Sequence, residues 1–301
     1  MKKILVTGGS GLVGSSIDAT IKISSKDLDL RDSRLTNKFF KKNAPDGVIH
    51  CAAKVGGLGA NINHMADFFY DNILINTNLL NACHVSKVKK VISFLSTCIF
   101  PDQVNYPLTE KQIHNGEPHS SNFAYAYAKR MLDVQSRAYN MQYGTNYICV
   151  IPTNIYGPND NFNLKNGHVV PSLIHKCYLA KKNKKNLTIW GTGKPIRDFI
   201  FSKDVAKLSK WALNNYNEKE PLIFSTMDNI SIEYLVDIIV KHMDFKGKVI
   251  WDNTKPDGQI KKPASNKKLL TYLPNFNFTK IDEGILETIE WFNENYMEIR
   301  K

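Results

Sequence analysis

The chain has 301 residues, 43% hydrophobic and 23% charged, enough to bury the core of one large domain or one and a half. Its net charge of +12 sits partly in short lysine runs, Lys89-Lys90, Lys181-Lys182-Asn183-Lys184-Lys185, Lys261-Lys262 and Lys267-Lys268. These runs lack interleaved aromatics and fall in no nucleic-acid motif, so they read as solvated surface, part of it suited to anionic small ligands.

No apolar run approaches the ~18 residues of a membrane span. Met1-Lys2-Lys3 runs straight into a strand, so no signal peptide and a cytoplasmic location are expected. The five cysteines (Cys51, Cys83, Cys98, Cys149, Cys177) include no CxxC pair and sit mostly in apolar runs, as free thiols of a reducing compartment do. No zinc or other metal site is expected.

Residues 3–7 form a strand that ends in the loop Thr7-Gly-Gly-Ser-Gly-Leu-Val-Gly14, and a helix of about two turns is predicted from Leu12. Residues 20–24 read as a second strand, followed by a helix with Leu35, Phe39 and Phe40 on one side, then a third strand at 47–52. Phe68, Phe69, Ile73, Leu74, Leu79, Leu80 and Cys83 recur at helical spacing and predict a helix over 65–86. A fourth strand at 91–95, a helix over Phe123–Tyr143 stopped by Gly144, and a fifth strand at 147–151 complete an alternating pattern. That pattern predicts an α/β fold with a doubly wound, Rossmann-like parallel sheet, its ligands beyond the carboxyl ends of the strands.

Beyond Gly157-Pro158 the texture changes. Residues 159–167 are polar and loop-like, 168–182 helical, and Leu187–Trp190 a short strand. Residues 222–225 are predicted to rejoin the main sheet, Ser231 to cap a helix facing inward through Leu235, Ile238 and Ile239, and 281–296 to form the last helix. The reading is a dinucleotide-binding domain over 1–157 and a smaller C-terminal substrate lobe over 158–301 that exchanges segments with it.

Gly8-x-x-Gly11-x-x-Gly14, between a strand and a helix, is the setting in which glycines admit a pyrophosphate. The candidate cofactor residues there are Gly8, Gly9, Ser10, Gly11, Leu12, Val13 and Gly14. The second strand ends Ser24-Ser25-Lys26, a lysine and two hydroxyls in place of the carboxylate of an NAD enzyme, so Lys26 and a 2′-phosphate are predicted and the cofactor is NADPH. Tyr125-x-x-x-Lys129 puts two side chains on one helix face, one turn apart. A lysine there is predicted to lower the tyrosine pKa, and Ser96 to hold a carbonyl oxygen, giving a proton donor for ketone reduction.

Further stretches accompany these: Ser96-Thr-Cys-Ile-Phe-Pro101, Ile113-His-Asn-Gly116, Phe123-Ala-Tyr-Ala-Tyr-Ala-Lys-Arg-Met131, Ile151-Pro-Thr-Asn-Ile-Tyr-Gly-Pro158 with Asp160-Asn-Phe162, Gly167-His-Val-Val-Pro171, Trp190-Gly-Thr-Gly193, Arg197-Asp198-Phe199 and Pro256-Asp-Gly258. With them the chain resembles the extended short-chain dehydrogenase/reductase family, and within it the nucleotide-sugar epimerase-reductases that turn GDP-4-keto-6-deoxy-D-mannose into GDP-L-fucose. The resemblance implies Ser96, Tyr125 and Lys129 as the reductase triad, and Cys98 and His168 as the acid and base of epimerisation. It places the cofactor also on Phe94, Leu95, Ser96, Thr97, Lys129, Pro152, Thr153, Asn154, Ile155 and His168. It places the GDP-sugar on Lys176, Trp190, Arg197, Asp257 and Lys262.

The chemistry agrees: inverting C3 and C5 beside a 4-keto group needs a base and an acid on opposite faces, with pKa values near working pH. A homodimer is implied too, because the helices at 65–86 and Phe123–Tyr143 carry apolar residues on more than one side. The rivals are weaker. A 4,6-dehydratase is expected to show Asp-Glu where this chain has Cys98-Ile99, a 4-epimerase needs no Cys/His pair, and a non-catalytic NADPH sensor needs no intact Ser96, Tyr125 and Lys129. One departure is visible: between Gly14 and Ser24 the chain is short.

Overall fold

A computed structural model describes residues 1–255, 257 and 260–300. In chain order its strands and helices are β1 (Ile4–Thr7), β2 (Ile21–Ile23), α1 (Ser33–Asn43), β3 (Gly47–His50), α2 (Leu58–Asn63), α3 (Met65–Val85), β4 (Lys90–Phe94), α4 (Phe123–Tyr143), β5 (Asn146–Pro152) and β6 (Asn154–Tyr156). They continue with α5 (Val169–Lys182), β7 (Leu187–Trp190), β8 (Ile196–Phe201), α6 (Ser202–Asn215), β9 (Leu222–Phe224), β10 (Asn229–Ser231), α7 (Ile232–His242), β11 (Val249–Asp252), α8 (Lys267–Tyr272) and α9 (Ile281–Glu294).

The main sheet is wholly parallel, in the order β2-β1-β3-β4-β5-β9. Apart from the edge strand β2, which exposes Lys22, its strands are largely apolar and buried on both faces, as helix-covered parallel sheets require. The chain passes from β1 to β2 on one side, then crosses back to β3 on the other. A topological switch therefore lies at the carboxyl ends of β1 and β3, where Thr7 pairs with His50. The buried Thr7 hydroxyl bonds His50 Nδ1 at 2.8 Å, and His50 Nε2 meets Asn76 Oδ1 at 3.1 Å. Burial is the larger cause, and the Lys129 charge the second, that hold His50 down at about 3, so it is neutral.

Two apolar layers sandwich this sheet. One joins Phe40, Leu79, Leu80, Cys83 and Leu132 of α1, α3 and α4 to the sheet. The other joins Val13, Ile17, Val205, Leu208, Ala212 and Leu213. The predicted two-turn first helix is absent: Gly14–Ser16 makes a single 3-10 turn, and Ile17 is already extended. Much of that sheet face is instead covered by α6, an element the patterning above does not predict although Val205, Leu208, Ala212 and Leu213 repeat at helical spacing.

A second core gathers Tyr156, Ile174, Phe199, Leu235, Ile239 and Phe292 from α5, α7, α9 and the three-stranded sheet β10-β8-β6, with Phe162 of the loop between β6 and α5. Strand β9 pairs with β5, so this half of the chain returns to the main sheet. β11 pairs parallel with β7.

Candidate active site

The glycine loop closes on itself. Gly8 has φ of +68°, and a Cβ there would lie 2.8 Å from the Ala52 backbone nitrogen. A Cβ on Gly14 would lie 2.3 Å from the Gly8 carbonyl oxygen. Both obstacles are backbone and cannot move aside, so glycine is obligatory at each. The loop opens onto a cavity of about 1050 Å³ along the carboxyl ends of the strands. Four buried polar atoms of its lining residues, Asn61 Oδ1, Asn122 Oδ1, Thr153 Oγ1 and Asp160 Oδ2, have no hydrogen-bond partner among the described residues. A glycine cradle that side chains would fill, with orphaned polar atoms beyond it, fits a polar dinucleotide and a second polar ligand.

Ser96 leaves β4 and caps the 3-10 turn Thr97–Ile99, its hydroxyl accepting the Cys98 N–H at 3.4 Å. That turn faces α4, which carries Tyr125 and Lys129. Lys129 is buried and donates to the Phe94 carbonyl at 2.8 Å, with its Nζ 5.8 Å from the centre of the Tyr125 ring. Burial lowers the Lys129 pKa to about 8. It raises that of Tyr125, and the neighbouring Cys98 adds to the rise. The expected lowering of the tyrosine by its lysine is therefore not found: the ammonium is bonded to a carbonyl rather than to the phenol, and desolvation dominates.

Burial also pushes the Cys98 thiol up, opposed first by the Lys262 charge, then by the Ser96 hydroxyl and Lys129. His168 stands exposed at the N-terminus of α5 and lines the same cavity. Gly167 packs so closely on the Asn161 carbonyl, 2.5 Å from a notional Cβ, that His168 is brought round beside Asp160. Burial raises the Asp160 pKa, and the His168 charge is the largest influence against it.

Ser96, Cys98, Tyr125, Lys129 and His168 thus share one cavity with Gly8, Ser10, Gly11, Leu12, Val13 and Gly14, with Phe94, Leu95 and Thr97, and with Pro152, Thr153, Asn154 and Ile155. Arg197, Asp257 and Lys262 line it as well. Pro256 and Gly258 of the last motif segment lie outside the described residues.

Four expected residues are not in the lining. Gly9 turns toward β2, its N–H bonded to the Ile23 carbonyl at 2.8 Å and its Cβ position blocked by Lys22. Lys26 is exposed and outside the lining, whereas Ser25 and Arg31 are in it. Arg31 is held by Asp29 at 2.8 Å and Asp71 at 3.1 Å. Trp190 and Lys176 pair outside the lining, Nζ 5.0 Å from the indole centre, with Trp190 63% exposed. They stand at the rim, because Gly191 and Thr192 press on Asp257, whose Oδ1 accepts the Thr192 N–H at 2.6 Å.

Sequence reasoning missed Arg31, Lys54, Asp160 and Arg300, all in the lining. Lys54 precedes Gly56-Gly57 at the end of the third strand, a glycine signal that was available. Arg300, at the far end of the chain, gave none; the Phe162 N–H bonds its carbonyl at 3.0 Å and brings it there.

The model of the NAD dependent epimerase/dehydratase family matches residues 4–225. The GDP-L-fucose synthase of Dictyostelium discoideum is 51% identical over 313 aligned positions, covering 100% of this chain and 98% of the relative. A probable GDP-L-fucose synthase of Drosophila melanogaster is 43% identical over 321 positions, covering 100% of both chains. The crystal structure of a GDP-L-fucose synthetase from Naegleria fowleri bound to NADP superposes with a TM-score of 0.94 at 42% identity, covering 100% of this chain and 96% of that one.

Proposed function

The chain belongs to the NAD-dependent epimerase/dehydratase family, among its GDP-L-fucose synthases, and from that premise we propose how its own residues perform the reaction. The enzyme inverts C3 and C5 of GDP-4-keto-6-deoxy-D-mannose and reduces the 4-keto group with NADPH, giving GDP-L-fucose. The single observation that carries the residue roles is the meeting of Ser96, Cys98, Tyr125, Lys129 and His168 in one cavity with the glycine cradle.

Cys98, as thiolate, takes the proton from C3 and from C5, each acidified by the neighbouring ketone, and His168 returns a proton from the opposite face. Ser96 donates to O4, which carries the enolate charge during both inversions. The NADPH cofactor, when bound, supplies the hydride for C4. Tyr125 then gives its proton to O4. Its raised pKa suits this direction, because reduction needs the phenol and not the phenolate. Lys129, beside the ring, stabilises the phenolate left behind. Lys176, Trp190, Arg197, Asp257 and Lys262 hold the GDP-sugar at the rim and outer wall, with the Arg197 guanidinium matched to diphosphate.

In this reading residues 1–157 carry the cofactor and 158–301 the GDP-sugar, apart from β9 and α6, which serve the main sheet. The enzyme is a homodimer through α3 and α4, which pack together and leave Phe69, Tyr70, Met131 and Val134 exposed. Light scattering at micromolar concentration is expected to give about twice the 34.2 kDa chain mass, and a stable active monomer would exclude the pairing. No helix among the described residues is long and apolar enough to cross a membrane, and the cytoplasm is the proposed location.

The decisive experiment is proton exchange in heavy water without NADPH. Cys98→Ser should lose deuterium uptake at C3 and C5 by mass, whereas His168→Asn, which keeps the base, should slow the inversion itself. Full uptake at both carbons in Cys98→Ser would falsify its role as base.

A further inference from the structure

Lys262 lies on the segment from 260 to 265, a strap fastened on both sides of the cavity. The Ile196 N–H donates to the Ile260 carbonyl at 2.8 Å, the Leu108 N–H to the Pro263 carbonyl at 2.9 Å, and the Ser265 N–H to the Leu108 carbonyl at 2.9 Å. Leu108 is fully buried in the loop that leaves the Cys98 turn, and Ile196 adjoins Arg197. The strap therefore sets Lys262 between the Arg197 strand and the Cys98 loop, lining the cavity that Cys98 also lines.

The cations around Cys98 differ in what already holds them. Lys129 of α4 is bonded to the Phe94 carbonyl at 2.8 Å. Arg130 of α4 is bonded to the Ile99 and Gly116 carbonyls, each at 2.7 Å. No hydrogen bond or ion pair joins Lys262 to a described residue, and its charge is favoured by Cys98 and Asp102 and opposed by Arg197. Arg197, in the same wall, is bonded among the described residues only to the Ile196 carbonyl, at 2.8 Å. Two half-buried cations without a bonded carboxylate form a wall that anions stabilise. The substrate diphosphate answers Arg197. Within the described residues the sulfur of Cys98 favours the charged form of Lys262 more than the Asp102 carboxylate does.

We propose that Lys262 is a positioning residue for Cys98, its ammonium stabilising the thiolate that removes the C3 and C5 protons, a task separate from binding the GDP-sugar. The assignment rests on Cys98 being the epimerisation base. Lys262 exchanges no proton: hydrogen leaves carbon for sulfur, an S–H bond forms, and the electron pair passes into the enolate. The groups that face Cys98 are Ser96 on its own turn, Tyr125, Lys129 and Arg130 on α4, and Lys262 on the strap. Among the charged ones Lys262 acts most strongly on the thiol, and the thiolate in turn raises the lysine.

The test is the pH profile of Cys98 alkylation by iodoacetamide in the full chain, read as mass added to the Cys98 peptide. This measures thiolate without turnover. In Lys262→Met the profile should move up by about one pH unit, roughly a tenfold slower alkylation at a given pH below the midpoint. Lys262→Arg should keep the parent profile. Lys176→Met, which removes a rim cation, should keep it too. Lys262→Gln is read in the same way and serves if the methionine variant does not fold, as judged by NADPH binding. A Lys262→Met or Lys262→Gln profile that superposes on the parent overturns the proposal. Deuterium exchange in Cys98→Ser tests the base itself, so the two ideas fail separately.

Discussion

The catalytic part of the cavity and its adenosine end are built on opposite principles. Around Ser96, Tyr125 and Lys129 the protein is dry: Lys129 is buried and desolvation decides each pKa direction. Around Ser24 to Arg31 it is wet, with Arg31 and Asp29 held in an exposed pair, and the segment leading there is short, a single 3-10 turn at Gly14–Ser16 standing in place of the predicted two-turn helix. The difference teaches where a substitution is costly. A buried proton donor has no substitute in solvent, whereas exposed pairs are screened and partly replaceable by water.

The sharpest way to break that contrast is at Tyr125. Tyr125→Phe keeps the ring and removes the acid, and should cut NADPH oxidation about 10³-fold with NADPH affinity retained. A near-parent rate would end its role as donor. At the hinge between the two regions, Gly14→Ala places a methyl 2.3 Å from the Gly8 carbonyl. The loop must distort, and NADPH binding measured by fluorescence should weaken by about 2 kcal/mol, roughly thirtyfold. Unaltered affinity would mean that the loop yields.

At the adenosine end the effect should be smaller, and it discriminates two residues. Arg31 lines the cavity and Lys26 does not. Loss of one charge-assisted bond to the 2′-phosphate predicts that Arg31→Ala weakens NADPH about tenfold and NADH little, with Lys26→Ala near parent. Equal losses for NADPH and NADH in Arg31→Ala would assign the arginine to holding Asp29 and Asp71 instead.

The smallest effect is on stability. His50 titrates at about 3 in the fold against 6.5 as the ordinary value. The unfolded chain therefore takes up this proton first, so the stabilisation is complete above pH 6.5 and is lost as pH falls from 6.5 through 3. His50→Gln should show a shallower fall of Tm between pH 6.5 and 4.5. An unchanged slope would place the acid sensitivity elsewhere.

Much of this was legible along the chain. Gly8, Gly11 and Gly14 stand between a strand and a turn, Tyr125 and Lys129 are one helical turn apart, and α4 runs over the predicted Phe123–Tyr143 because Gly144 adopts the left-handed conformation that stops it. These are local facts, governed by spacing and backbone preference. Helix α6 is legible too, in the repeat of Val205, Leu208, Ala212 and Leu213.

Other features belong to tertiary structure alone. Arg31 rather than Lys26 faces the cavity because the turn after β2 points one side chain inward and the other out. Asp160 and Arg300 arrive through the folded loop at 159–167 and the chain's last residues, which no spacing connects. The sign of the Tyr125 shift was beyond the sequence, since a lysine four residues away predicts a lowered pKa and only the packed interior shows desolvation winning. Short-range geometry is written in residue order; burial, and with it the balance of charge, exists only once distant segments have closed over one another.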